Sequence, residues 1–269
     1  MSLPNNALYE RFAQINVGGR LFESPPFSLE FTQTLKIGRL TQTKAKLYNP
    51  APDTIKLAEP KKIGRRRQFT EVIIDAGYIE DWGTAALGLI HDYKVVKRGP
   101  DTILEMSIGD ATNKWNNNLI NKTWKNTYAN IIVNEMLSSA GIVGEVQLGE
   151  SKLYRTFTAR LFRTAIQKIV KDTDSQWYFK NGIFKIEPKD APRERQVLFI
   201  SPDSGLLDKI EKNKKGFKFK TLFFYKLNAG DILQIEDKNT PVSTVKIYKG
   251  KKVFSSFGRA HCIFEAREI

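Results

Sequence analysis

With 269 residues, 41% of them hydrophobic and 11% aromatic, the chain is long enough to bury a full core and too apolar to be disordered. No run reaches the roughly 18 uninterrupted apolar residues of a membrane span, and the single Cys262 allows no internal disulfide and builds no zinc site alone. A formal charge of +14 leaves three classes of anionic partner open: nucleic acid, an anionic membrane surface and acidic proteins. The charges cluster at 61–67 (KKIGRRR), 209–220 (KIEKNKKGFKFK) and 246–252 (KIYKGKK), each among turn residues or at strand ends. Solvated loops and hairpin tips are the plain explanation of such runs, and a protein partner is the functional one.

The first residues, MSLPNNALYERFAQINVGG, lack the basic start and apolar core of a signal peptide, so synthesis in the cytoplasm is expected. Residues 8–24 alternate apolar and polar around Gly18-Gly19, which predicts a strand, a turn and a second strand. After Pro25-Pro26 the alternation resumes over 27–37 and again over 41–47. Asn49-Pro50-Ala51-Pro52 ends that strand, because a proline donates nothing to a ladder. Asp53 is then the expected N-cap of a short helix, 54–59, closed by Pro60. Strands are predicted over 69–76, 87–96 and 102–108, the last two joined by the turn Lys97-Arg98-Gly99-Pro100-Asp101.

The pattern changes near Asp110. Apolar residues at helical spacing predict helices over 125–140, closed by Gly141, and over 158–172. Asn181-Gly182 marks a hairpin spanning 177–186, and Pro188 with KDAPRER reads as a linker. Strands return at 197–200, 217–224, 232–235, 244–248, 253–257 and 260–266. Short strands with frequent turns point to barrels or sandwiches.

Catalytic patterns are not apparent. A phosphate loop, G-x-S-x-G and H-E-x-x-H are all missing, and His91 and His261 are the two histidines. His261 adjoins Cys262, but neighbours in a strand point to opposite faces. The run Asp172-Thr173-Asp174-Ser175-Gln176 lacks the glycine and final glutamate of a calcium loop and fits helix capping better. Asp75, Glu80 and Asp81 could form a glycosidase pair but surround a turn, where aspartate is common. Trp82, Trp115, Trp124 and Trp177 are expected in the core rather than as sugar or base platforms, with Trp115 and Trp124 partly exposed in their Asn-rich segment. No catalytic, cofactor or metal residue is assigned, and the enzyme reading is set aside.

Three runs carry a family resemblance. The first is YNPAPDTIKL, a basic loop and VIIDAGY, followed by GLIHDYKVVKRGPDTILEMSIGDA. The second is NKTWKNTYANIIVNEMLSSAGI, and the third LFISPDSGLLDKIEKNKKGFKFKTLFFYKLNAGDILQIE. Each is degenerate, but their order and spacing from Leu47 to Ile235 resemble the hub proteins of phage tail baseplates. This is the late control protein D type, also found in R-type bacteriocins and related contractile injection particles. Ala229-Gly230 stands where many members have Pro-Gly, and the wall-degrading activity carried by some relatives is not expected here.

The resemblance implies a mainly β protein with an α/β portion: two β-barrel-like hub domains, 1–111 and 190–269, flanking a small α/β domain, 112–189. It implies a homotrimer that adapts a hexameric tail tube to a trimeric spike or tip. The implied partners are the tail tube or distal tail protein, the spike or tip protein and other baseplate proteins. Neither a cofactor nor membrane insertion is implied, and the mature location is the virion or phage-like particle. DNA would pass the channel without specific binding, so a strongly basic lumen is not expected, since lysine and arginine hold phosphate. The basic clusters are accordingly expected outside the lumen or against acidic neighbours. Subunit or partner contacts are expected at Lys61, Arg65, Arg66, Arg67, Lys214, Lys215, Lys251 and Lys252. The alternative is a basic β-barrel that binds single-stranded nucleic acid, which requires cations and aromatics to alternate on one face.

Overall fold

The structure, a computed structural model, describes residues 10–63, 66–109, 115–116, 118–180, 182–189, 198–214 and 216–269, with the backbone alone at 61–63 and 66–67. The chain is mainly β and forms two compact units. The first combines Met1–Lys36, Thr41–Asp110 and Arg195–Ile269; the second combines Ile37–Leu40 with Ala111–Glu194. The middle segment falls in the second unit. Both outer segments, expected as separate domains, fall into one unit because their strands share one sheet.

Strands β1 (Arg11–Val17), β2 (Arg20–Ser24), β3 (Leu29–Lys36) and β4 (Gln42–Tyr48) precede helix α1 (Pro52–Ala58). The short hairpin β5 (Lys61–Ile63) and β6 (Arg66–Gln68) leads to β7 (Glu71–Tyr78), β8 (Asp81–Arg98) and β9 (Asp101–Gly109). Strict two-residue alternation buries Ala13, Ile15 and Val17 on β1 and Val72, Ile74 and Ala76 on β7. After the second unit come β15 (Leu198–Ile200), β16 (Glu211–Asn213), β17 (Gly216–Leu222), β18 (Ile232–Asp237), β19 (Thr240–Ser255) and β20 (His261–Glu268). The sheet runs β16-β17-β20-β19-β3-β4-β9-β8-β7-β1-β2, with β18 branching from β19 and β15 pairing β18. The join between the outer segments is β19 against β3, from Lys249↔Lys36 to Ser255↔Glu30.

Several expected boundaries shift for identifiable reasons. Helix α1 starts at Pro52, whose missing N–H is harmless at the first helical position. Its N-cap is Ala51, and Asp53 lies in the first turn near the positive helix end instead of capping it. Strand β8 begins at Asp81, not 87, and β19 runs unbroken from Thr240 to Ser255 where two strands were expected. Glycines inside these strands permit close approach. A Cβ on Gly83 would sit 2.6 Å from the Tyr225 ring, and one on Gly250 would sit 2.7 Å from the Phe264 ring.

The second unit begins with β10 (Leu119–Tyr128), α2 (Ala129–Ala140) and β11 (Gly144–Val146). It continues with β12 (Leu153–Leu161), α3 (Phe162–Asp172), β13 (Ser175–Lys180) and β14 (Ile183–Pro188). Both helices start about one turn later than their periodicity suggested, because 119–128 and 153–161 pair as antiparallel strands, with Trp124 opposite Phe157. Gly141 ends α2 with φ 60°, and its N–H donates to the Leu137 and Ser138 carbonyls. Strands β11, β14 and β13 form a three-stranded sheet. Trp115 packs on Trp177 with ring centroids 4.2 Å apart, and Phe179 and Phe184 complete the cluster. Trp115 is 2% and Trp124 5% exposed, so the expected partial exposure of both is corrected: both rings join the apolar core of the second unit.

Candidate functional site

The proposed contact cations part company in the structure. Lys61, Arg66 and Arg67 lie on β5 and β6, but their side chains, with Arg65 and Lys215, fall outside the described residues. Lys214 is exposed in the β16–β17 turn, and Lys251 is exposed on β19. Lys252 is fully buried, which corrects its assignment to a surface contact. Its ammonium donates to the Tyr225 carbonyl at 2.7 Å and to Asn228 Oδ1 at 3.4 Å, so its charge is spent inside the unit. The sequence signal for this was its place in the alternation: 252 shares a face with Phe254, and 251 with Val253.

That alternation builds an outer cationic face on β17, β20, β19 and β3. Lys220, Ile263, Lys251 and Thr34 lie in one row across the four strands. Lys218, Glu265, Lys249 and Lys36 lie in the next. Some of this charge is internally paired: Lys249 meets Glu265 at 2.6 Å, Lys218 meets Glu211 at 3.0 Å and Lys220 meets Asp208 at 3.3 Å. Lysine and tyrosine hydrogen bonds from Lys249 and Tyr248 hold the Glu265 carboxyl below its ordinary range. Burial, then the positive charges of Lys220, Arg259 and Lys251, depress His261. The apolar residues between these lysines are aliphatic: Leu222, Ile263 and Val253. The aromatics Phe219, Phe254 and Phe264 point to the buried face, and Tyr248, which bonds Glu265 on the outer side, is covered by Arg267, so among the described residues no row of free stacking platforms alternates with these lysines.

The residues screened for chemistry have structural employment. Cys262 is buried, and burial pushes its thiol up to about 11, far from the thiolate a nucleophile requires. It pairs in register with Thr221, whereas His261 pairs with Leu222 and belongs to the other face. Asp75 accepts hydrogen bonds from Gln14 Nε2 and the Thr84 hydroxyl, both at 2.7 Å. Asp81 accepts one from the Tyr225 hydroxyl at 3.3 Å and pairs with Lys226. Asp172 accepts the Tyr154 hydroxyl at 2.9 Å, and Asp174 pairs with Lys189. Among the described residues no group of three or more His, Cys, Asp or Glu side chains converges on a metal position. Nor is any helix among them long and apolar enough to cross a membrane.

The sequence matches no protein-family model and no curated protein. The fold, by contrast, has solved counterparts. The 43 kDa tail protein of prophage MuSo2 from Shewanella oneidensis superposes with a TM-score of 0.70 at 8% identity, over 97% of this chain and 98% of that one. A tail protein from Neisseria meningitidis MC58 gives 0.70 at 8% identity, over 97% of each chain. The E. coli c3393 protein gives 0.70 at 11% identity, over 95% of this chain and 76% of that one. It is described as a type VI secretion component structurally similar to the T4 bacteriophage tail proteins gp27 and gp5. The chain thus has the fold of phage tail proteins.

Proposed function

We propose that the chain is a structural component of a phage or phage-like tail baseplate, a homotrimeric central hub that joins a hexameric tail tube to a trimeric spike or tip. The observation that carries this reading is the agreement of fold with two tail proteins over at least 97% of both chains. A second feature fits it. Strands β7, β8 and β9 form an antiparallel triplet whose long middle strand pairs β7 over 81–89 and β9 over 89–98. Strands β18, β19 and β20 repeat the arrangement, with β19 pairing β18 over 240–246 and β20 over 245–253. Two such barrel-like halves per chain, in three chains around an axis, would offer six similar positions to a tube and threefold symmetry to a spike. Ring contacts of this kind are heterologous.

In this reading the chain works by binding and symmetry matching, and no catalytic step is needed. Tube or distal tail protein, spike and other baseplate proteins are its partners, and the particle is its final location. DNA passing the channel would meet no strong cationic lining. Mass measurement of the chain alone and with tube and spike proteins tests the proposal. A trimer, formed alone or on addition of either partner, is the expected result. A chain that stays monomeric with both partners and retains single-stranded DNA in a salt-dependent way would overturn it.

A further inference from the structure

The outer faces at the two ends of the large sheet are complementary. On β2, β1, β7 and β8 the register sets Leu21, Asn16, Ile73 and Leu87 in one row. Glu23, Gln14, Asp75 and Thr84 form the adjoining row, and Glu71 lies beyond Ile73 on the same face. The opposite face of these strands, with Ile15, Phe22, Val72 and Ile74, is the buried one. Aliphatic side chains therefore also occupy the face that alternation should leave polar, and Leu21 is 49% exposed. Among the described residues Glu23 and Glu71, both exposed, have no ion pair.

At the other end the same composition recurs with the charge reversed. Leu222, His261, Val253, Thr32 and Lys44 form a row next to Lys220, Ile263 and Lys251. Lys44 and Lys251 are exposed and have no carboxylate partner among the described residues. On this face burial first, and then the positive charges of Lys220, Arg259 and Lys251, depress His261. An aliphatic centre flanked by charge is the composition of a protein contact. Opposite signs on the two faces would orient the approach and disfavour like-with-like pairing.

We propose that copies of this chain associate head to tail, the acidic aliphatic face of β1, β2 and β7 on one copy packing on the cationic aliphatic face of β17, β20, β19, β3 and β4 on the next. This rests on the trimeric hub reading and names the surface that would close the ring. A second copy is the occupant because both complementary halves lie on one chain.

The test uses the whole chain, with sedimentation velocity at low salt, ~50 mM, and again at ~500 mM, where screening is much stronger. Two double variants reverse the charges: Lys44→Glu with Lys251→Glu, and Glu23→Lys with Glu71→Lys. Unchanged circular dichroism and melting confirm that each folds. The wild type should associate at low salt, and each variant alone should associate at least about tenfold more weakly. An equimolar mixture of the two variants should recover association, because each supplies the face that the other lacks. A monomeric wild type at low salt overturns this contact, and a trimer formed on adding tube or spike would still uphold the hub. Association equally strong in both variants overturns the contact and keeps a ring built on another surface. Loss without recovery on mixing overturns it too, as does salt-dependent retention of single-stranded DNA that vanishes in the Lys44/Lys251 variant.

Discussion

Phe31 and Phe254 are register partners across β3 and β19, and their rings stack with centroids 5.5 Å apart and an interplanar angle of 16°. Phe223 closes the group, edge-on to Phe254 at 5.0 Å. One ring comes from the first third of the chain and two from the last, so this cluster ties the outer segments into one core. Phe254→Ala should destabilise the first unit by about 3–5 kcal/mol, the range for removing a buried aromatic and leaving a cavity. Urea denaturation followed by tyrosine and tryptophan fluorescence reads it. Because both outer segments share the sheet, they should unfold together. Separate transitions for the N-terminal and C-terminal strands would refute the shared core.

Lys252 faces Gln33 across the same strand pair, on the buried side. Its ammonium donates to the Tyr225 carbonyl, the backbone just before the loop that carries Lys226 and Asn228. Lys252→Met keeps most of the side-chain volume but leaves that carbonyl without this donor. The expected loss is about 1–3 kcal/mol, the cost of an unsatisfied buried acceptor. Lys251→Met, one residue away on the solvent face, should change stability by less than about 0.5 kcal/mol. Equal effects at the two positions would contradict the assignment of faces.

Much of the architecture was legible because alternation and turns are local. The pattern Val72-Ile73-Ile74 next to Gly77, and Asn181-Gly182 between apolar runs, announced strands and a hairpin without knowledge of their neighbours. What stayed hidden was set by distant partners. Lys249-Gly250-Lys251 reads as a turn until Phe264 occupies the space above Gly250. Residues 153–161 read as the run-up to a helix until β10 pairs with them. Lys252 reads as one more surface lysine until its carbonyl partner, 27 residues away, is in place. For the candidate contact, the sequence located the basic clusters, whereas the face each cation takes depended on strand register. The aliphatic residues Ile73 and Leu87 gave no warning that they lie outside.

Cys262 predicts a pH dependence. A thiol ordinarily ionises near 9.0, and burial raises this one to about 11. Between those values the unfolded chain binds fewer protons at this site than the folded chain, so stability falls as pH rises through that window. The loss from this group is about 2–3 kcal/mol once pH exceeds the folded value. Below pH 9.0 the group contributes no slope. The difference between wild type and Cys262→Ala, followed by denaturation from pH 8 upward, isolates it from the tyrosines and lysines that titrate in both proteins. A constant difference between the two proteins across the window would show that the thiol is not held in this environment.

Glu135 on α2 anchors the second unit in an analogous way, in the acid range. Its Oε2 accepts the Trp124 indole N–H at 2.7 Å and the Lys122 ammonium at 2.5 Å. Hydrogen bonds from Lys122 and then Trp124 lower the Glu135 carboxyl below its ordinary 4.5. The folded chain therefore holds fewer protons here than the unfolded chain just below that pH, and stability from this group is lost as pH falls through its folded value. Glu135→Gln keeps an oxygen acceptor for the indole, so it should cost about 1 kcal/mol or less at neutral pH. It should also flatten the acid limb of the stability profile below pH 4.5. Glu135→Ala removes the acceptor and leaves a nearly buried indole N–H unpaired, so it should cost about 1–3 kcal/mol. If Gln and Ala are equally destabilising, the carboxylate charge matters more than the acceptor, and the Trp124 hydrogen bond is not what holds α2 on β10.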